Sequence, residues 1–306
     1  MKISRREFNK TAFAVGTLLA GGGRAAFAGP AGVIKRPIPS SGELLPIMGL
    51  GTNRYGVGAS EAERAPLRET LARFHEWGGT MIDTAPSYRT SETVLGNLMA
   101  DLGIRDDLFV ATKVDRDSGR ADSEAQMQAS SRKLRTDVFD LMQVHSVRDW
   151  QNNIPLLHEL KQEGRFRYVG LTTSRSSEYG AMEKAMQQHD LDFIQINYSL
   201  EQRESAELLL PLAADRGMAV IINRAFGGGR IFRAVGDQPL PEWAKELGIA
   251  SWAQFLLKYT LSHPAATVAI PGMTKARHVD DNFGAAHGPM PDAAQRAKME
   301  AFYDAL

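Results

Sequence analysis

The 306-residue chain contains no cysteine. That absence excludes disulfides, thiolate metal centres and a lipid-bearing cysteine near the N-terminus, and it makes the chain indifferent to the redox state of its compartment. The chain also lacks net charge, because 36 Lys and Arg balance 36 Asp and Glu. With no basic excess, nothing draws it to nucleic acid. It has no apolar run long enough to anchor stably in a membrane; the nearest, Thr11 to Gly23, is short and rich in glycine and alanine. Nor does any strand-to-helix junction carry the spaced-glycine fingerprint of an open nucleotide-binding sheet: Gly56-Val57-Gly58 and Gly227-Gly228-Gly229 both miss the spacing. What remains is an ordinary globular composition, 43% hydrophobic and 24% charged.

Residues 1–28 differ from the rest. Ser4-Arg5-Arg6-Glu7-Phe8-Asn9-Lys10 has the twin-arginine pattern, the mildly apolar run follows, and Ala26-Phe27-Ala28 gives a small-x-small cleavage site before Gly29. Arg24, between the run and the cleavage site, disfavours export of an unfolded chain. The segment holds Lys2, Arg5, Arg6, Lys10 and Arg24 against Glu7 alone, so its removal leaves a mildly acidic remainder. The expectation is a leader recognised by the twin-arginine export machinery and a folded protein delivered to the periplasm.

From residue 29 to residue 306, strand and helix patterns alternate with short breaks. Apolar runs near Ile47-Gly49, Met81-Asp83, Leu108-Val114, Phe139-Val144, Tyr168-Leu171, Phe193-Asn197, Ala219-Ile222 and Thr267-Ile270 read as short strands buried on both faces. Tyr179, Met182 and Met186 recur at helical spacing after Ser176-Ser177, which can cap; Trp252, Phe255, Leu256 and Tyr259 do so after Ser251. Pro211 means that its helix either begins near Leu210 or is kinked. About eight strand–helix units in one stretch of this length predict an α/β fold, a closed (β/α)8 TIM barrel, rather than an open sheet. Val33 to Pro46, with Ser40-Ser41-Gly42 between extended pieces, predicts a β-hairpin before the first barrel strand.

In such barrels the loops at the C-terminal strand ends build the site. Ile82-Asp83-Thr84-Ala85-Pro86-Ser87-Tyr88 delivers Asp83 at a strand end and Tyr88 on the loop. The next two strands deliver Lys113 and His145. Each alone has a bland explanation: a packed Tyr, a solvated Lys, a capping Asp, a structural His. Together they fit proton donation to a carbonyl oxygen. A free Tyr holds its proton at neutral pH, with a pKa of about 10. A neighbouring Lys favours tyrosinate and is expected to lower that value. Asp83 would hold the ammonium, and His145 would polarise the carbonyl.

Asp83, Tyr88, Lys113 and His145 in this order resemble the catalytic tetrad of the aldo-keto reductases, and the resemblance covers nearly all of the chain after the leader. Gly164-Arg165-Phe166-Arg167-Tyr168-Val169-Gly170-Leu171 is similar to that family's strand-five motif. The resemblance implies an NAD(P)H-dependent enzyme that reduces aldehydes or ketones to alcohols, or the reverse. It implies carboxamide contacts from Gln195 and from Thr172 and Thr173, which stand where the family usually has Ser-Asn. Asn223 stands where a stacking aromatic is common, with Arg224, Phe226 and Gly227 on the following loop. Gly272, Lys275 and Arg277 occupy the cofactor-phosphate segment, and Asp281 and Asn282 resemble its adenine-holding pair. NADP is expected ahead of NAD. Tyr55 and Trp150 are expected to line the substrate pocket, Arg167 to pair with acids at the barrel bottom.

Two other readings stay open. A nicotinamide-binding redox sensor or non-enzymatic binding protein could use the same barrel. A metal-dependent barrel hydrolase would need His and carboxylate ligands clustered at strand ends, and His145 alone is so placed.

Overall fold

The computed structural model describes residues 32–117 and 119–306; the expected leader lies outside the described residues. The chain opens with an antiparallel hairpin, β1 (Lys35–Pro37) and β2 (Leu44–Pro46), in register Lys35 to Pro46 and Pro37 to Leu44. Its turn closes where Gly42 N donates to Ile38 O at 2.8 Å, with Gly42 at a φ of +75°.

Eight strands follow: β3 (Leu50–Gly51), β4 (Met81–Asp83), β5 (Phe109–Val114), β6 (Phe139–Val144), β7 (Phe166–Thr172), β8 (Phe193–Asn197), β9 (Ala219–Asn223) and β10 (Val268–Ala269). They form one sheet in chain order, and every neighbouring pair is parallel. Parallel bridges from Met48 to Ala269 and from Gly51 to Gly272 join the first strand region to the last and close the ring. The expected (β/α)8 barrel with its hairpin is the observed fold.

Helices α1 (Glu61–Glu76), α2 (Ser91–Leu102), α3 (Arg120–Leu134), α4 (Trp150–Gln162), α5 (Tyr179–Gln188), α6 (Leu209–Asp215), α7 (Arg230–Val235), α8 (Trp252–Leu261), α9 (Ala276–Phe283) and α10 (Ala293–Asp304) fill the connections and the C-terminus. Ser251 caps α8 as expected, accepting from Gln254 N. Pro211 sits in the first turn of α6, where its missing N–H has no helical partner to lose. Ser176 and Ser177 do not cap α5; they form a 3-10 turn ahead of it. Between β9 and α8 the chain makes a long excursion that holds α7 and a 3-10 turn over Glu242–Leu247. The strand–helix alternation had not marked that excursion.

Strand alternation sorts the barrel interior into layers. At the N-terminal end the inward residues are apolar: Met81, Phe109, Leu141, Tyr168, Phe193 and Ala219, with Ile38 and Leu45 of the hairpin plugging the floor. Further along, polar side chains appear: Asp83, Gln143 and Gln195 stand two residues beyond Met81, Leu141 and Phe193, and Lys113 four beyond Phe109. Arg167, on the rim at this end, bridges Asp140 at 2.8 Å and pairs with Glu43 of the hairpin, the bottom ion pairing expected of it. Arg36 inserts its guanidinium into the turn before β10, donating to Leu261 O at 2.7 Å, His263 O at 3.1 Å and also Ala266 O.

Because Arg36 serves three carbonyls across the closure, Arg36→Ala should destabilise the fold by about 3 kcal/mol, as expected when hydrogen bonds to a charged group are lost and their acceptors stranded. Urea unfolding of both proteins measures the difference.

Candidate active site

The polar layer above the apolar floor forms one connected site. Asp83 ends β4, and Lys113 is the fifth residue of β5; both point inward and are 2% and 1% exposed. Lys113 Nζ donates to Asp83 Oδ1 at 2.6 Å and to Thr84 O at 2.7 Å. The ammonium lies 5.4 Å from the Tyr88 ring centroid, and the Tyr88 and His145 rings meet edge-on at 6.2 Å. All four residues of the expected tetrad therefore converge at the C-terminal end of the barrel.

Their scaffold is specific. Thr52 Oγ1 donates to Asp83 O at 2.8 Å, and Ser91 Oγ, at the start of α2, donates to Thr52 O at 3.1 Å and contacts Thr84 Oγ1 at 3.0 Å. The Tyr88 loop is a tight turn, with Tyr88 N donating to Ala85 O and Ser91 N to Tyr88 O. Gln143, not singled out from sequence, stands inward two residues before His145. Its Nε2 reaches Asp83 Oδ1 at 3.3 Å and Gln195 Oε1 at 3.1 Å. The second contact crosses β7 over Gly170, where a Cβ would lie 3.0 Å from Gln143 Cγ. The signal was the strand period itself: Leu141, Gln143 and His145 alternate, so Gln143 had to face the interior beside Lys113, its partner in register.

The electrostatics correct one expectation. The Lys113 ammonium pulls the Tyr88 phenol down, but burial and the Asp83 carboxylate together push it up further, so Tyr88 stands above the ordinary phenol value rather than below it. Burial disfavours the Lys113 cation, yet Asp83 and Tyr88 more than offset that, and Lys113 is held above its ordinary value. The site at neutral pH is thus a cationic Lys under a protonated Tyr.

The residues expected to hold a cofactor lie on β7, β8 and β9 and after β10. Thr172 Oγ1 accepts from Ser146 N at 3.2 Å. Gln195 is paired to Thr172 in register, and Asn197 to Asn223. Thr173 has its hydroxyl engaged by Glu178 and by Arg175 N. Asn223 Nδ2 donates to Thr173 O at 3.0 Å. Beyond it, Arg224 takes a left-handed φ of +51°, Phe226 packs on Phe232, and Gly227 opens a 3-10 turn. Gly272 is exposed, Lys275 is the N-cap of α9, and Arg277 is exposed in its first turn. Asp281 is already engaged: its Oδ1 accepts from Ser251 Oγ at 2.7 Å and Gln254 Nε2 at 3.0 Å, while Asn282 is buried.

Tyr55 and Trp150, expected at a substrate pocket, are 0% and 7% exposed. The Tyr55 hydroxyl is buried without a partner, and Trp150 meets the His189 ring edge-on at 5.7 Å. Neither borders the cavity of about 650 Å³ beside the tetrad, which is lined by Pro86, Ser87, Asp115, Arg116, Gln126 and Lys133 among others.

A parallel barrel that carries a Tyr over a buried Lys–Asp pair, with a His at its edge, defines a barrel oxidoreductase of the carbonyl-reducing class. The sequence profile of the Aldo/keto reductase family matches residues 47–303, and the chain belongs to that family. It is an oxidoreductase that interconverts carbonyls and alcohols with a nicotinamide cofactor. An aldo-keto reductase of Strobilurus tenacellus is 26% identical over 271 residues, 76% of this chain and 79% of that one. The NADH-specific methylglyoxal reductase of Escherichia coli is 28% identical over 245 residues, 69% of this chain and 73% of that one. An aldo-keto reductase from Klebsiella pneumoniae, solved in complex with NADPH, matches with a TM-score of 0.75 at 25% identity, over 88% of this chain and 95% of that one.

Removing one member of a buried ion pair leaves the other charge unpaired. Lys113→Met should therefore cost about 3–5 kcal/mol of stability, and adding Asp83→Asn should restore most of it. A double-mutant cycle by denaturant unfolding tests the pair, and additive costs would show that the two charges do not depend on each other.

Proposed function

We propose that the chain reduces aldehyde or ketone carbonyls with NADPH, with Tyr88 as the proton donor, and that it works in the periplasm. The observation that carries the chemical part is the protonated Tyr88 seated over the buried Lys113–Asp83 pair. The bound nicotinamide supplies a hydride to the carbonyl carbon. Tyr88 Oη gives its proton to the carbonyl oxygen, and Lys113 stabilises the phenolate that remains. Asp83 keeps the ammonium in place; Thr84 O accepts a second Lys113 hydrogen, and Gln143 Nε2 reaches the same Asp83 oxygen. In the reverse direction Tyr88 accepts the proton of the alcohol.

The residues present fit the cofactor. Asn223 Oδ1 is a buried acceptor with no partner, a group that gains from a donor such as a carboxamide N–H. Thr172 and Gln195 pair in register one layer below it, level with Ile221. Lys275 and Arg277 create a positive field at the start of α9; burial first, then these two cations, hold His278 below the ordinary imidazole value. A helix N-terminus with added cations suits a phosphate, which supports NADP over NAD.

The twin-arginine pattern supports export in the folded state, with cofactor bound beforehand. Replacing Arg5 and Arg6 with Lys should retain the protein in the cytoplasm. If protein isolated from the periplasm neither carries nor binds nicotinamide, the loading proposal is wrong.

Tyr88→Phe should lower carbonyl reduction by at least about a hundredfold while leaving NADPH binding intact by fluorescence titration. Wild-type activity in that variant would remove Tyr88 from its role. Lys275→Ala and Arg277→Ala should each weaken NADPH by about tenfold and leave NADH unchanged. Equal losses for both nucleotides would place the two cations elsewhere than at the 2′-phosphate.

A further inference from the structure

We propose that Asp115 is the positioning residue for His145: it keeps the imidazole hydrogen on Nδ1, so that His145 can donate to the substrate oxygen from Nε2 only as the imidazolium. The inference rests on the reading of the site as a carbonyl reductase and adds a residue to it.

Asp115 is the first residue after β5, two beyond Lys113. Gln126 of α3 grips it twice: Gln126 Nε2 donates to Asp115 Oδ1 at 2.5 Å, and Asp115 N donates to Gln126 Oε1 at 3.0 Å. Gln126 is only 8% exposed, so the grip is shielded. With one oxygen held, the other faces inward, and Asp115 Oδ2 lies 3.7 Å from His145 Nδ1. Ser87 Oγ approaches the same nitrogen at 3.5 Å. The contact with His145 holds the Asp115 carboxyl down at about 2 against the opposing push of burial, with Gln126 helping. Hydrogen bonds in such sites commonly shorten once substrate binds.

Other charged groups face this cluster from several elements; α3 brings Asp122 and Lys133 to the cavity that Asp115 and Ser87 line. From the loop after β4 comes Tyr88, with Lys113 and Asp83 behind it. From the loop after β5 comes Arg116, which also favours the ionised Asp115. Arg148, after β6, is 3.9 Å from Asp117.

The consequence follows from hydrogen counting. A neutral imidazole carries one N–H. An ionised carboxylate can only accept, so it selects the tautomer with that hydrogen on Nδ1 and leaves a lone pair on Nε2, which repels a carbonyl oxygen. The imidazolium carries both hydrogens and donates from Nε2 as negative charge develops on the oxygen. His145 keeps its hydrogens throughout, and the transferred proton comes from Tyr88. Reduction should therefore fall when rising pH removes the second hydrogen from His145.

Two measurements on the full chain test this. In long-range proton–nitrogen NMR, with His145 assigned by His145→Gln, the neutral wild-type ring should carry its hydrogen on Nδ1. In Asp115→Asn, whose amide N–H can donate to Nδ1, it should carry it on Nε2. In kcat/KM–pH profiles the wild type should lose tenfold or more on the alkaline side, where His145 has given up its second hydrogen. Asp115→Asn should start about tenfold lower and stay flat. A neutral wild-type ring protonated on Nε2, or the same decline in both proteins, overturns the proposal. The wild-type spectrum alone decides the tautomer, whether or not the variant folds. It also needs no turnover, so a failure of the carbonyl-reductase reading appears separately, as a wild type that reduces nothing.

Discussion

The interaction on which the site depends is the ion pair between Lys113 and Asp83. Both side chains are almost fully removed from water, and such a pair is costly to bury unless its remaining donors and acceptors are met. The barrel meets several of them by register. Thr84 O takes a second Lys113 proton, Gln143 donates to Asp83, and Gln143 is in turn aimed at Gln195 across the glycine of β7. Thr52 and Ser91 tie the end of β4 to the neighbouring strand and to the helix that follows. The pair thus fixes four strands relative to each other at the level where Tyr88 sits.

That arrangement explains why the phenol behaves otherwise than the simplest charge argument says. One cation near a Tyr favours tyrosinate, but this cation brings its own counter-ion, and the pocket is dry. The net effect leaves Tyr88 a reluctant acid at rest. A substrate oxygen that gains negative charge changes the balance at the moment of reaction, when Lys113 can stabilise the phenolate directly.

Much of this was legible in the chain. The regular alternation of short apolar strands with helical segments pointed to the barrel, and the single polar residue ending each of three strands pointed to Asp83, Lys113 and His145, because a closed barrel has one place to put such residues. The hairpin was readable from its turn residues. Other features were not readable for physical reasons. Whether Tyr55 or Trp150 faces a pocket depends on how the loops pack, and both proved buried. Thr173 and Asp281 looked like cofactor ligands by position, yet each side chain is engaged by a neighbour from its own or an adjacent segment, Glu178 for one, Ser251 and Gln254 for the other. Asp115 carries no signal beyond its place after a strand. Its relation to His145 arises from the grip of Gln126, eleven residues away on a helix whose rotation the sequence leaves open.

The plugged floor has a consequence for traffic through the molecule. Ile38 and Leu45 pack below the apolar layer, so among the described residues the barrel is a packed vessel closed at its floor, with the tetrad at the other end. Among the described residues, that apolar floor stands between Lys113 and solvent on the lower side. Any molecule seated at the mouth then isolates the ammonium from bulk solvent. Proton exchange at Lys113 becomes a gauge of whether the vessel is stoppered, and of how often the stopper lifts.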